Sequence, residues 1–237
     1  MDGDRVLIVD DHRLLAQALG AALGDLGVPA RVADLARLPE LPDEVGPGEV
    51  VVLDLVLRTP DGVVDGGDLV APLRARGARV VVLTGSGNVL AMARALRDGA
   101  HTVVEKQQRF EDLVDAVVAA RDGAVPPDVA HHQAILRAAD RRHAEEADAE
   151  RVLGRLTPRE SEVLDHLRRG HSAEEIARAD HVALSTVRAQ IRSVLAKLDV
   201  RSQLQAVARA NALTRRLGSR RRPWPAKAAR TGAHPQS

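Results

Sequence analysis

The sequence predicts an α/β fold, a doubly wound five-stranded parallel sheet, followed by a smaller all-α domain. Two observations predict the sheet: five short apolar runs alternate with helical segments up to residue 123, and four of the runs end in polar side chains. Strand–helix repeats give parallel sheets with helices on both faces, because crossover connections are right-handed. The third observation is that only helical periodicity follows residue 155, which predicts the all-α domain.

The clearest predicted strand is Val50–Asp54, in which four apolar residues lead directly into Asp54 and turn residues follow. A continuous apolar run of this length is typical of a strand buried on both faces. The other predicted strands span 5–9, 30–32, 79–83 and 102–104, and the predicted helices span 14–26, 68–76, 88–98 and 110–121.

The composition excludes several classes of protein. The 237 residues are enough for two domains. The absence of cysteine excludes disulfides, thiolate nucleophiles and zinc–cysteine sites. No apolar run is long enough to span a bilayer, and Asp2 and Asp4 stand where a signal peptide would be basic. We therefore expect a cytoplasmic protein with no membrane partner.

The two halves of the chain carry opposite charge. Residues 1–150 contain 16 Lys and Arg against 26 Asp and Glu, whereas residues 151–237 contain 18 against 7. A basic domain is typical of nucleic-acid binders, so the second half is predicted to bind nucleic acid and the acidic half to have a separate task.

Polar side chains stand at the ends of four predicted strands: Asp10 and Asp11, Asp54, Thr84 and Lys106. Because the carboxyl ends of parallel strands meet at one crevice, we expect these five side chains to converge. Clustered carboxylates favour a divalent cation, and oxygen ligands suit Mg²⁺. A hydroxyl and a lysine beside that cation would balance the charge of a phosphoryl group on Asp54, and aspartate is an accepted nucleophile in phosphoryl transfer.

This constellation resembles the receiver domain of two-component response regulators over residues 5–123, which implies a flavodoxin-like fold. By that resemblance Asp54 accepts a phosphoryl group from a sensor histidine kinase, and Thr84 and Lys106 contact the phosphoryl oxygens. The implied ligands of Mg²⁺ are Asp10, Asp11, Asp54 and the main-chain carbonyl of Val56. The resemblance implies a phosphoryl acceptor and not an enzyme.

Two departures from the family's pattern concern the switch. The family usually has proline four residues after the acceptor and an aromatic residue on the fifth strand, where this chain has Arg58 and Val103, and its loop through 65–66 is a few residues longer. These departures favour an alternative, a phosphorylation-independent regulator whose acidic pocket docks a ligand or a protein. A third alternative, a Mg²⁺-dependent phosphohydrolase with Asp54 as nucleophile, lacks its second acid because position 56 is valine.

Two capping boxes, 157–160 and 172–175, predict the starts of two helices in the second domain. A tight turn leads to a third helix from Ser185, and apolar residues at 187, 191, 194, 195 and 198 give it one buried stripe. Its opposite face carries small residues and arginines that can lie against a DNA duplex. The candidate DNA contacts are Ser185, Thr186, Arg188, Ala189, Gln190, Arg192, Ser193 and Lys197.

Residues 156–212 resemble the LuxR-type helix-turn-helix of NarL/FixJ response regulators, with matches at 156–160, 175–177 and 185–188. In that family the fourth helix pairs two domains on DNA. The implied dimer face is formed by Leu204, Val207, Ala208 and Asn211. Burial of Leu204 and Val207 against their own domain is an equal alternative.

We therefore predict a receiver domain at 1–124, a largely exposed helical linker at 125–154, a LuxR-type domain at 155–217 and a basic disordered tail at 218–237. The predicted function is that of a DNA-binding transcriptional response regulator that is phosphorylated on Asp54. Phosphorylation would control dimerisation and promoter binding. The predicted partners are promoter DNA, a sensor histidine kinase and a second copy of the chain.

Overall fold

A computed structural model describes residues 5–85, 87–126 and 128–217 of the chain. The chain divides into two compact units between Asp140 and Arg141. The predicted basic tail, 218–237, lies outside the described residues. Among the described residues, no helix combines the length and apolar character that crossing a membrane requires.

The first unit contains the predicted parallel sheet. The strands are β1 (Val6–Val9), β2 (Ala30–Val32), β3 (Val50–Asp54), β4 (Val56–Thr59), β5 (Gly62–Asp65), β6 (Arg79–Thr84) and β7 (Thr102–Glu105). Five of them form one sheet in the order β2–β1–β3–β6–β7, and all of its neighbouring strands are parallel. The predicted fold class is confirmed.

Helices cover both faces of this sheet. They are α1 (Arg13–Asp25), α2 (Leu41–Glu44), α3 (Val70–Ala75), α4 (Val89–Arg97) and α5 (Phe110–Arg121), with 3₁₀ turns at Leu35–Glu40 and Gly66–Leu69. Successive strand residues point to opposite faces of the sheet, so the side chains of each strand are divided between two core clusters, one on each face. Leu19 of α1 and Val117 of α5 belong to one cluster, and Leu73 of α3 and Met92 of α4 belong to the other.

The segment after Asp54 is a hairpin, where the sequence predicts a loop. Strands β4 and β5 pair antiparallel, with Val56 opposite Asp65 and Thr59 opposite Gly62. Proline at position 60 suits the first central position of the turn, and Gly62 adopts a φ of +135°. The prediction was wrong because the apolar runs on the two sides of this turn, 56–57 and 63–64, are each only two residues long and give no recognisable strand pattern.

The predicted linker is one helix, α6 (Val129–Leu153), and it is less exposed than expected. In the first unit, Ile135 and Ala139 are buried in the same core cluster as α3 and α4. His132 Nε2 also lies 2.9 Å from the Thr102 hydroxyl at the start of β7. In the second unit, Ala149 packs into the helical core.

The second unit is all helical, as predicted. Its other helices are α7 (Pro158–Arg168), α8 (Ala173–Ala179), α9 (Leu184–Lys197) and α10 (Gln203–Arg216). Both predicted capping boxes form, with Thr157 and Ser172 as the N-caps. Val187 and Ile191 of α9 pack against α7 and α8, which confirms the predicted buried stripe.

Candidate functional site

The structure brings the predicted strand-end residues together at one edge of the sheet. Asp54 ends β3, Thr84 ends β6, and Asp10 and Lys106 directly follow β1 and β7. Lys106 Nζ lies 2.7 Å from Asp54 Oδ2 and 2.8 Å from Asp10 Oδ2, so one ammonium group bridges two buried carboxylates. The sheet order β1–β3–β6–β7 puts these strand ends along one edge, and the long side chain of Lys106 reaches from the end of β7 past β6 to the carboxylates at the ends of β3 and β1.

The environment of Asp54 favours a protonated carboxyl more than water does. Burial raises the pKa of Asp54, although hydrogen bonds from Lys106 and from the Val56 N–H act in the opposite direction. Burial alone would lower the pKa of Lys106, but its hydrogen bonds to Asp10 and Asp54 outweigh burial and raise it. Lys106 is therefore a permanent positive charge beside the Asp54 carboxylate.

The acidic cluster fits a divalent cation. Asp10, Asp11, His12 and Asp54 each offer one ligand atom, and these atoms all lie within 4.8 Å of one another. Asp11 Oδ1 is buried and accepts no hydrogen bond among the described residues, and His12 Nδ1, another ligand atom of the same cluster, lies 3.3 Å from it. A set dominated by carboxylate oxygens suits Mg²⁺, which takes a few carboxylates and keeps several waters.

Two groups at this edge were not predicted as members of the site. His12 Nδ1 lies 3.0 Å from Asp10 Oδ1 and 3.2 Å from Lys106 Nζ. Arg58, on β4, reaches across 47 positions of sequence to Asp11 Oδ2, with its Nη1 at 3.2 Å. The position of His12 directly after the acidic pair could have indicated its role, whereas Arg58 is placed by the unpredicted hairpin.

Thr84, the predicted phosphoryl contact, and Val103, at the expected position of the aromatic residue, are both buried. Thr84 is 1% exposed, and Val103, which stands where the family's aromatic residue is expected, is 3% exposed within the core. Val103 lies opposite Val82 on the neighbouring strand. A buried aliphatic residue at this position cannot swing between core and solvent as a partly exposed aromatic ring can.

Of the eight predicted DNA contacts on α9, five side chains are exposed to solvent and three are half-buried. Ser185, Thr186, Arg188, Ala189 and Arg192 are exposed. Arg188 makes an ion pair with Glu174 of α8 at 3.1 Å, and both side chains are more than half exposed. These five residues keep the solvent-facing position that contact with a duplex requires.

The other three residues of the predicted set are half-buried. Ser193 Oγ and Lys197 Nζ each lie 2.6 Å from a carboxylate oxygen of Glu160, so both make a hydrogen bond inside their own unit. Gln190 is half-buried, and its Oε1 has no hydrogen-bond partner among the residues described. For Ser193 and Lys197 the cause is Glu160, whose carboxylate at the start of α7 binds both side chains.

Glu160 is a structural acid that was predicted only as a capping residue. It accepts a hydrogen bond from the Thr157 N–H, which closes the capping box, and those from Ser193 and Lys197. Burial opposes its charge, but these hydrogen bonds, led by the one from Lys197, lower the pKa of Glu160 to about 2. The carboxylate therefore fixes α9 against α7.

The four residues of the predicted dimer face on α10 differ in exposure. Leu204 is 80% exposed, and Ala208 is also exposed. Val207 is half-buried and packs against the helical core, and Asn211 Oδ1 accepts a hydrogen bond of 2.9 Å from Arg168 Nε. Val207 is thus partly buried within its own unit, while Leu204 is an apolar side chain exposed to solvent.

Comparison with known families agrees with both halves of the structure. Residues 6–118 match the response regulator receiver domain, and residues 154–210 match the luxR family of bacterial regulatory proteins. A receiver followed by a LuxR-type domain defines one architecture, and the two matches span more than two thirds of the chain. The chain is a response regulator with a receiver domain and a LuxR-type DNA-binding domain. It is a two-component, DNA-binding transcription regulator.

Relatives of this response regulator include the response regulator protein VraR of two Staphylococcus species. The VraR of Staphylococcus epidermidis is 28% identical over 208 residues, which are 86% of this chain and 94% of VraR. The VraR of Staphylococcus aureus is 27% identical over the same shares of both chains.

Solved structures similar to this response regulator include ChrA, of a heme-sensing two-component system, and an RcsB–DNA complex. ChrA is 24% identical with a TM-score of 0.44, over 91% of this chain and 100% of that chain. The RcsB of the DNA complex is 24% identical with a TM-score of 0.43, over 89% and 99%.

Proposed function

We propose that Asp54 accepts a phosphoryl group from the phosphohistidine of a sensor kinase, and that the phosphorylated chain dimerises and binds promoter DNA. The observation that carries this proposal is the bridge from Lys106 Nζ to the buried Asp54 and Asp10 carboxylates, at 2.7 and 2.8 Å. A receiver needs an acceptor carboxylate with a fixed cation beside it, and this pair supplies both.

The described residues support the transfer step. The Asp54 carboxylate attacks phosphorus, so a P–O bond forms while the P–N bond to the kinase imidazole breaks and the imidazole leaves. The Val56 N–H holds Asp54 Oδ1 at 3.2 Å and fixes the orientation of the carboxylate. Lys106 is placed to balance the added negative charge.

The metal site of the proposal consists of Asp10, Asp11 and Asp54, with the Val56 carbonyl as an expected further ligand. Their clustering within 4.8 Å supports it, as does the buried Asp11 Oδ1, which accepts no hydrogen bond among the described residues. Mg²⁺ bound there would balance negative charge on the phosphoryl oxygens.

The output side of the proposal uses α9 and α10. The exposed face of α9 would enter the major groove, with Arg188 and Arg192 reaching bases or phosphates. Leu204 and Ala208 of α10 would contact a second copy, and the exposed Leu204 supports that choice.

The test is intact mass spectrometry after incubation with a small acyl phosphate and Mg²⁺. The native chain is expected to gain one phosphoryl adduct, and Asp54→Asn none. The matched control is Asp61→Asn, because Asp61 is an exposed aspartate at the tip of the adjacent hairpin. It is expected to gain the same adduct as the native chain.

Phosphorylation of the Asp54→Asn variant would refute the acceptor assignment. Absence of an adduct from a native chain that still binds DNA would support the second candidate, a phosphorylation-independent regulator. The Arg58–Asp11 pair and the buried Val103 are the observations that favour this candidate.

A further inference from the structure

The β4–β5 hairpin holds Arg58 in a fixed place beside the acidic cluster. Leu57 is fully buried in the core, which anchors β4. At the return of the hairpin the Gly66 N–H donates to the Leu55 carbonyl at 3.0 Å. Because side chains alternate along a strand, a buried Leu57 leaves Arg58 on the outer face.

Arg58 uses that position to contact a carboxylate of the cluster. Its Nη1 lies 3.2 Å from Asp11 Oδ2, and Asp11 is 12% exposed at its side chain, against 66% for Arg58. Arg58 is therefore a solvent-exposed cation whose end contacts a largely buried anion. The other two carboxylates of the cluster, those of Asp10 and Asp54, pair with Lys106 instead.

The charges at the cluster are already partly balanced. Lys106 pairs with Asp10 and Asp54, and Arg58 pairs with Asp11, so three carboxylates meet two permanent cations before any metal binds. His12 Nδ1 also lies within 4.0 Å of all three carboxylates and is the same in every Arg58 variant. A divalent cation that used Asp11 would compete with the guanidinium for the same carboxylate and would be repelled by it.

We propose that Arg58 is an internal competitor of the divalent cation, through which the hairpin sets the metal affinity of the receiver. This inference rests on the proposed metal site. Arg58 weakens metal binding at low ionic strength and leaves Asp11 when the metal arrives. Its high exposure makes the effect moderate, since exposed ion pairs are individually weak.

The test is isothermal titration of the full-length, unphosphorylated chain with MgCl₂, which needs no activity as a readout. Arg58→Ala and Arg58→Gln are expected to bind Mg²⁺ about threefold or more tightly than the native chain, because one competing charge is gone. Arg58→Lys keeps the charge and is expected within about twofold of the native affinity. The gain should shrink at high salt, where the charges are screened.

The matched control is Arg37→Ala, which removes a similarly exposed arginine whose partners, Glu40 and Glu44, lie outside the cluster. Its Mg²⁺ affinity should equal that of the native chain. Asp11→Asn should weaken binding in every background.

The outcomes separate the inference from the proposed metal site. Native binding that Asp11→Asn weakens, with unchanged affinity in Arg58→Ala and Arg58→Gln, overturns the inference alone. Equal gains in Arg58→Ala and Arg58→Lys also overturn it, because charge would not be the cause. Absence of saturable binding in the native chain and all Arg58 variants overturns the metal site and the inference together. Binding only after Arg58 is replaced supports both.

Discussion

Gly66 lies so close to the acceptor strand that it has no room for a side chain. A Cβ at this position would lie 2.0 Å from the Asp54 carbonyl oxygen, and a backbone atom of a central strand cannot move aside cheaply. The glycine therefore allows the hairpin to return against the end of β3. It also positions the peptide that follows Asp54.

We expect Gly66→Ala to destabilise the first unit by about 3 kcal/mol, the upper range for overpacking. Urea unfolding followed by circular dichroism measures this change. The control is Gly24→Ala in α1, where nothing lies within 4 Å of the added Cβ. Alanine there should stabilise the protein by about 0.5–1 kcal/mol, because it lowers the entropy cost of the helix. Equal effects at the two glycines would contradict the steric argument.

Glu160 is the residue on which the second unit's response to acid depends. Its pKa is lowered from an ordinary 4.5 to about 2 by Lys197, Ser193 and Thr157 acting against burial. A lowered pKa in the folded state means that the stabilisation is complete above pH 4.5 and is lost as the pH falls toward 2.

We expect Glu160→Gln to cost about 2 kcal/mol at pH 7, because the charged hydrogen bonds to Lys197 and Ser193 are weakened. The cost should shrink as the pH falls toward 2, where the native carboxylate also loses its charge. Amide hydrogen exchange in α7 and α9 measures this. Glu162→Gln, which changes an exposed glutamate on the same helix that pairs with Arg159, should leave the exchange unchanged. A pH-independent cost would show that shape, and not charge, is what matters.

At the scale of elements, α9 has an inner edge held by Glu160 and an outer face in solvent. Substitutions on the inner edge and on the outer face are therefore expected to have different effects. Replacing Lys197 should loosen α9 against α7, since it removes a hydrogen bond of 2.6 Å to Glu160. Replacing an outer arginine should leave the unit folded.

We expect Arg188→Ala and Arg192→Ala each to weaken binding about tenfold to a duplex selected from a random library, because one good arginine contact contributes about 1–3 kcal/mol. Fluorescence anisotropy measures the affinity. Arg142→Ala is the control, since Arg142 is likewise an exposed helical arginine paired with one glutamate, Glu146. Native affinity in both α9 variants would contradict the assignment of this face, and a matching loss in Arg142→Ala would point to net charge alone.

At the scale of the whole molecule, charge is divided between the two ends of the chain. Residues 218–237 add five Lys and Arg and no acidic residue to the basic half. Each phosphate that a protein neutralises releases counterions, so cationic segments steepen the salt dependence of DNA binding.

We expect a chain that ends at Leu217 to bind non-specific DNA with a flatter salt dependence. The slope of log affinity against log salt should fall by about 0.9 for every phosphate that the shortened chain no longer neutralises. Affinities of the full and shortened chains should converge at high salt. Parallel lines would show that residues 218–237 do not touch the DNA.

The sequence alone determined the features that depend on neighbouring residues. The five sheet strands, both capping boxes and the buried stripe of α9 follow from apolar periodicity and from caps three residues apart. Asp10, Asp54 and Lys106 could be assigned to one site because parallel strands end at one edge. This reasoning needs the order of elements but no distances.

Tertiary structure decided which distant residues meet. The Arg58–Asp11 pair joins positions 47 apart and needs the hairpin, and the Lys197–Glu160 pair joins positions 37 apart and needs the packing of α7 on α9. The same packing makes Ser193, a predicted DNA contact, a hydrogen-bond partner of Glu160 as well. Such pairs arise from the placement of whole elements, and a local pattern of side chains does not encode that placement.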